Sequence, residues 1–355
     1  MPSVSSKPLR AALTLACALL ALAAVRLPAA ADDQLTVFHG SFPPPMDSVA
    51  DVVAEKMGFF KAEHLTINAQ YANNATVCLA EVALGKGDVC AGFLEPIILG
   101  YAKGLRLQVI LAHAPRYVYR LAVLKDSPIK YLADFKGANI GEISQGGMGE
   151  IPTDATLAGA GLHRSDYTYA PIGLGPQALT AIMTKKVDAV VLPAQEVEKL
   201  EGLEHLSFRE FPNPRLADIP NMVFAASPAA VSTKADLLAR FSRAMVKAYV
   251  FVRVNPAASA RMYIEGINQK VTPELLASLT RVVEAVEPDT PGYDLSNKRI
   301  GYVSPRGVEL YCQYFVDAGR TPDLVPGASF VTDQFVGFAN DFDRKALIAQ
   351  AKAVR

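Results

Sequence analysis

Between Leu121 and Gly149 the chain changes character in an order that few folds can accept. An apolar strand end, Leu121 to Leu124, runs into a charged turn. A short polar helix comes next, then a turn at Gly137, then a strand from Ala138 to Ile143. That strand empties into Ser144-Gln145-Gly146-Gly147-Met148-Gly149. A strand, a glycine-rich loop and a helix start, in that order, make a seat for a ligand, because the first N–H groups of a helix have no partner within it. The chain before this stretch reads as one α/β unit. Much of the chain beyond it reads as a second.

The first unit repeats strand, loop and helix. Gln34 to His39 is a strand that leads into Gly40-Ser41-Phe42 and three prolines. Val49, Val52, Val53 and Met57 recur at helical spacing and stop at Gly58. Leu65 to Tyr71 is a strand, Thr76 to Leu84 a helix, Val89 to Ala91 a short strand, and Leu105 to Ala112 a long apolar one. The pattern is that of a parallel sheet covered on both faces. In the second unit Tyr167 to Pro171 and Val187 to Leu192 are strands. Pro176 to Lys186 is a helix with Leu179, Ile182 and Met183 inward. Pro212 to Pro220 reads as a linker, and Met222 to Ala225 as a strand leading out of it. From Lys234 onward the chain is mainly helical, with no sheet of its own, and ends in a peripheral helix or tail.

Composition narrows the function classes. The 355 residues are 51% hydrophobic and 20% charged, with formal net charge 0, which is globular. No basic run and no aromatic–basic interleaving gives a case for nucleic acid. Residues 1–31 differ from the rest. Lys7 and Arg10 precede an apolar run from Ala11 to Val25, and Ala29-Ala30-Ala31 comes after Pro28. That is the layout of a secretory signal. The run is too short for a spanning helix, which needs about 20 residues. The exported remainder has 32 basic and 35 acidic residues, net −3. Its cysteines are Cys78, Cys90 and Cys312. Three buried thiols is the plain expectation, with Cys78–Cys90 the one candidate bridge in an oxidising compartment.

Several spaced pieces together carry a resemblance. They are Gly58-Phe59-Phe60-Lys61 with Leu65, Gly87-Asp88-Val89, Lys125-Asp126-Ser127-Pro128-Ile129, Asp134-Phe135-Lys136-Gly137 with Ile140-Gly141, and Lys186-Val187-Asp188-Ala189. Over about residues 35–250 the chain resembles the NMT1/THI5-like branch of ABC-importer solute-binding proteins, which includes sulfonate, nitrate and thiamine-pyrimidine binders. The resemblance implies an α/β, two-lobe periplasmic-binding-protein type II fold, with an interlobe cleft and a helical C-terminal part packed on the first lobe. The expected division is signal 1–31, first lobe 32–118, second lobe 119–224, first lobe again 225–345, and tail 346–355. The resemblance also implies a periplasmic, monomeric binder that uses no cofactor. It would deliver a small organic ligand (a sulfonate, an aromatic or heterocyclic acid, or a pyrimidine-like compound) to ABC permease transmembrane subunits. The alternatives are an exported enzyme related to pyrimidine-precursor synthases, a hydrolase, or a sensor without a transporter.

Ligands of open α/β sheets sit beyond the carboxyl ends of the strands. That rule selects Ser41 and Phe42, Phe93 and Glu95, the turn Ser144, Gln145, Gly146 and Gly147, and Gln195 with Glu196. The turn would offer two N–H groups and a hydroxyl to a carboxylate, sulfonate or ring edge. Arg116 and Tyr117, at the expected crossover beside His113 and Tyr119, suit a planar acid. Each of these residues also has a plain structural reading, as a turn, a helix cap or a hinge. Neither GxxxxGK[ST], GxSxG nor HExxH occurs, and the five histidines are scattered, so no catalytic set and no metal site is expected.

Overall fold

The computed structural model describes residues 32–40, 48–114, 119–216, 219–220, 222–286 and 295–354. The signal-like segment, Ser41 and Phe42, and Arg116 and Tyr117 lie outside the described residues.

Two five-stranded sheets form, and they share one topology. The first lines up β2 (Leu65–Tyr71), β1 (Asp33–His39), β3 (Val89–Phe93), β10 (Met222–Ala226) and β4 (Gln108–Ala114). The second lines up β7 (Thr168–Pro171), β6 (Asn139–Glu142), β8 (Ala189–Pro193), β5 (Tyr119–Leu124) and β9 (Phe208–Glu210). In each, a central strand pairs in parallel with two neighbours, and an antiparallel strand lies beyond. The sheets are therefore mixed, not parallel throughout. The cause is exchange between lobes. After β4 the chain crosses to supply β5 to the second sheet, and after β9 it returns to supply β10 to the first. Met222 to Ala225, read from the sequence as an exit strand, sits between β3 and β4.

One acid fixes the start of each parallel pair. Asp88 N–H donates to the Thr36 carbonyl, and Thr36 N–H donates to Asp88 Oδ2 at 2.8 Å. In the second lobe Asp188 and Asn139 repeat the exchange, again at 2.8 Å to Asp188 Oδ2. Both aspartates come from the pieces that carry the family resemblance. Their chemistry explains why Asp fits there: its short carboxylate closes the ladder at the strand end, where a backbone donor would otherwise go unpaired.

Alternate residues of the strands serve opposite faces. Val89, Ala91, Phe224 and Ala226 pack in one apolar cluster, while Cys90, Val223 and Ala225 pack in another. The second sheet behaves alike, with Leu121 and Val123 on one side and Ala122 on the other. Cys78 of helix α3 (Ala75–Ala83) is bonded to Cys90 of β3. This replaces the expectation of three free thiols: the helix lies on β3, which brings the two cysteines together. Cys312 is free and buried.

The C-terminal helices cover the first sheet. Helix α9 (Ala235–Val254) buries Phe241, Met245, Tyr249 and Phe251 against helix α1 (Val49–Lys56) and β-sheet residues. Burial of side chains of this size contributes about 1.5–3 kcal/mol each. Helix α12 (Pro305–Asp317), capped by Ser304 on Gly307 N–H, buries Tyr311, Cys312 and Phe315 on the other face. The last helix, α14 (Arg344–Ala353), is more than a tail, since Leu347 and Ala351 are buried and Asn255 donates to the Ala351 and Val354 carbonyls. In helix α6 (Pro176–Met183) the inward face is Ala178, Ala181 and Ile182. Met183, expected inward, is exposed.

Two helices also join the lobes. Helix α11 (Pro273–Val286) packs on helix α7 (Ala194–Glu204) of the second lobe. Helix α5 (Glu150–Ala158) packs on α12, and its Ile151 lies in the same apolar cluster as Tyr311 and Leu94.

Candidate functional site

Three strands and their adjoining loops converge where the two sheets face one another. From the first lobe, β3 runs straight into helix α4 (Leu94–Ala102), which puts Phe93 and Glu95 at the junction. From the second lobe, β6 ends at Glu142 and leads into the Ser144–Gly149 turn, and β5 begins at Tyr119. Arg320, just after α12, crosses the gap: its Nη2 donates to the Gly146 carbonyl at 3.2 Å.

Glu95 is buried, 5% exposed, in the first turn of α4. An acid there suits the helix N-terminus. Its Oε1 accepts a hydrogen bond from the Tyr311 hydroxyl. Its Oε2 is buried and has no hydrogen-bond partner among the described residues. Burial raises the Glu95 carboxyl to about 7, and the Tyr311 bond and the residue's own backbone N–H offset only part of that rise.

Glu142 is the acid that a scan of loops misses. It is 1% exposed, and it fills the turn next to it. Ser144 N–H donates to Oε2 at 2.7 Å, and Gly149 N–H donates to Oε1 at 3.4 Å. Gly146 N–H donates to Glu150 Oε1 at 2.7 Å, and Gly147 N–H to the Ser144 carbonyl. The N–H groups expected to be open to an anion are thus held by the chain's own acceptors. Gly147 is required for this arrangement, because a Cβ there would stand 1.9 Å from Glu142 Oε2. Burial raises the Glu142 carboxyl, the Ser144 and Gly149 N–H groups lower it, and the net shift is upward.

Tyr119 joins the two acids. Gly149 lies so close that a Cβ on it would stand 3.2 Å from the Tyr119 ring. Burial pushes the phenol of Tyr119 above its ordinary range, with Glu142 and then Glu95 adding to the push. The Tyr119 phenol thus feels one carboxylate from each lobe.

The remaining candidates separate. Ser144, Gln145 and Gly146 are exposed or nearly so, and Phe93 and Gln195 are half-buried. Glu196 is buried but occupied: Gly175 N–H donates to its Oε1 at 2.6 Å, and Lys199 lies 3.9 Å from Oε2. His113 belongs to the interior, with Nδ1 3.0 Å from the Tyr249 hydroxyl and Nε2 3.4 Å from Asp51. His39 stacks on Tyr71, and burial lowers it to about 4, so it is neutral at ordinary pH. A surface pocket lined by Asp126, Ser127, Ile182 and Lys185 lies at the amino end of β8, the end opposite the cleft. No group of three His, Cys, Asp or Glu able to hold a metal occurs among the described residues, and none of their helices is long and apolar enough to cross a membrane.

Sequence reading missed Glu142, Tyr311 and Arg320 as site residues. Glu142 had a signal: it is a lone acid inside an apolar strand, shortly before a glycine-rich turn. Tyr311 and Arg320 had none, because they are far from the cleft in sequence and reach it only through the packing of α12.

Comparison with known proteins places this arrangement in a family. The family model described as NMT1/THI5 like matches residues 46–259. A 4-amino-5-hydroxymethyl-2-methylpyrimidine phosphate synthase of Aspergillus parasiticus is 23% identical over 297 residues, which cover 77% of this chain and 85% of that protein. Among solved structures, the periplasmic aliphatic sulphonate binding protein SsuA of Escherichia coli superposes with a TM-score of 0.65 at 16% identity, over 84% of this chain and 92% of that one. The desulfurization enzyme DszB superposes with a TM-score of 0.55 at 16% identity, over 86% and 98%. These likenesses establish the periplasmic-binding-protein fold.

Proposed function

The chain belongs to the NMT1/THI5-like family, and on that premise we propose that it is an exported solute-binding protein that captures a small organic molecule in the interlobe cleft. It hands the molecule, unchanged, to the permease subunits of an ABC importer. The observation that carries this reading is the double crossing of the chain between two like sheets, which leaves Glu95 of one lobe and Tyr119 and Glu142 of the other at a shared boundary. A ligand touching both sides stabilises the closed arrangement by its differential affinity, and the closed surface is what a permease reads. The protein works as a monomer in the periplasm, and residues 1–31 export it.

The likeness to sulfonate-binding proteins favours binding over catalysis, although a synthase and a desulfurization enzyme are also among the similar proteins. Of the ligand classes open from the sequence (sulfonate, aromatic or heterocyclic acid, pyrimidine-like compound), the buried carboxylates weigh against the acids. Phe93 and Tyr119 offer flat walls to a planar molecule. The test is calorimetry of the purified protein against a small-molecule panel, with the ligand recovered and weighed afterwards. Tight binding with an unaltered mass supports the proposal, and a changed mass defeats it. A sensor without a transporter would bind alike but fail to support uptake when paired with neighbouring permease genes.

A further inference from the structure

The cleft presents acid where an oxoanion site would present donors. The turn at 144–149 is the obvious anion seat, yet Ser144, Gly146, Gly147 and Gly149 N–H groups already donate to Glu142, Glu150 and the Ser144 carbonyl. Arg320 reaches the rim, where it donates to the Gly146 carbonyl. Glu95 of the first lobe is 5% exposed, with Oε1 bonded to Tyr311 and Oε2 lacking a donor among the described residues. A buried carboxylate oxygen without a donor is costly to leave so. The natural compensation is a positively charged N–H group brought in by the ligand, because an ion pair out of water is strong when both members are hydrogen-bonded.

Resting on the solute-binding reading, we propose that the ligand is an organic cation, an ammonium- or amidinium-bearing molecule whose N–H donates to Glu95 Oε2 while its body lies beside Tyr119. The competing arrangement keeps Glu95 protonated, so that it donates to an uncharged or anionic acceptor. The two differ in their proton balance. Since burial raises Glu95 to about 7, a cation displaces its proton, binds more tightly as pH rises from about 6 to about 8, and releases a proton on binding. An acceptor ligand shows the reverse. The titratable groups tied to Glu95 are Tyr311 of α12, which bonds it, and Tyr119 of β5, whose phenol feels both Glu95 and Glu142 of β6. Tyr119 is pushed above its ordinary range and does not titrate in this window. Glu142 is raised as well, so its proton is told from that of Glu95 by mutation.

Matched probes test this on the full exported chain: benzamidinium, benzamide and benzenesulfonate, by calorimetry at about pH 6 and about pH 8 in two buffers of different protonation enthalpy. The expected result is binding of benzamidinium, several-fold tighter at the higher pH, with proton release, and no heat from benzenesulfonate. Glu95→Gln should weaken benzamidinium by about tenfold or more and abolish its pH dependence, with an unliganded melting temperature at the lower pH equal to that of the parent. Should that variant fail to fold, Tyr311→Phe serves instead. It removes the donor to Oε1 and should move the midpoint of the pH dependence upward. Binding of benzenesulfonate with benzamidinium silent would overturn the cation proposal and leave the solute-binding reading standing. Silence of all three probes, or equal affinity in Glu95→Gln, also overturns it. Conversion of any probe to a new product would overturn the solute-binding reading itself.

Discussion

In each lobe a buried strand runs straight into a helix whose first turn carries a glutamate: Phe93 leads to Leu94-Glu95, and Pro193 leads to Ala194-Gln195-Glu196. The strands behind them are paired alike, and each is clamped by an aspartate at its start. The two glutamates nevertheless meet different neighbours. Glu196 is tied to Gly175 N–H and sits near Lys199, so its charge is used to hold the turn after β7. Glu95 has a phenol on one oxygen and no donor among the described residues on the other. One motif thus serves structure in the second lobe, while in the first it leaves a buried carboxylate oxygen without a donor among the described residues, the group that the proposal assigns to a ligand. Position in the fold is the same for the two glutamates; the unmet hydrogen bond is what separates them.

The largest expected effect bears on Glu95 as a liability of the empty protein. Its folded-state value, about 7, lies above the ordinary 4.5. The folded state therefore holds a proton that the unfolded chain loses first, and the Glu95 contribution to stability falls as pH rises from about 4.5 to 7. The loss is about 3 kcal/mol. Urea unfolding at stepped pH should show this fall as the difference between parent and Glu95→Gln, because His39, lowered to about 4, gives both chains an opposing slope. If that difference does not change with pH, Glu95 is not the source of the cost. The disulfide comes next. Cys78→Ser should destabilise the first lobe by about 2–3 kcal/mol, because it opens a short loop, and denaturation under oxidising conditions measures it.

Glu196→Ala should cost about 2 kcal/mol by orphaning Gly175 N–H. A ligand-affinity loss larger in Glu196→Ala than in Glu95→Gln would reverse the roles assigned to the two lobes. The clamps give the smallest separation. Asp88→Asn should cost more than Asp188→Asn, by about 0.5–1 kcal/mol, since Asp88 also pairs with Lys234 and no ion pair is found for Asp188 among the described residues. Thermal melts of the two variants, side by side, decide it.

Much of this fold is written in local pattern. Two α/β units, the helix stop at Gly58, the Pro305 helix start and the Asp88 and Asp188 turns are all visible in sequence, because each depends on near neighbours. The mixed pairing is not. Met222 to Ala226 reads as a strand anywhere, and only the return crossing puts it between β3 and β4. The site divides in the same way. Glu95 is found by the rule that strand ends face ligands. The filling of the 144–149 turn by Glu142 is not, because that turn has the same sequence whether its N–H groups are empty or held. Tyr311 reaches Glu95 across 216 residues of chain.

Native mass spectrometry of the protein isolated with its natural ligand, parent against Glu95→Gln, addresses the central claim most directly. The parent should carry one small basic molecule, released intact on denaturation, and the variant should arrive empty. An acidic molecule, or the same molecule retained by the variant, would contradict the claim.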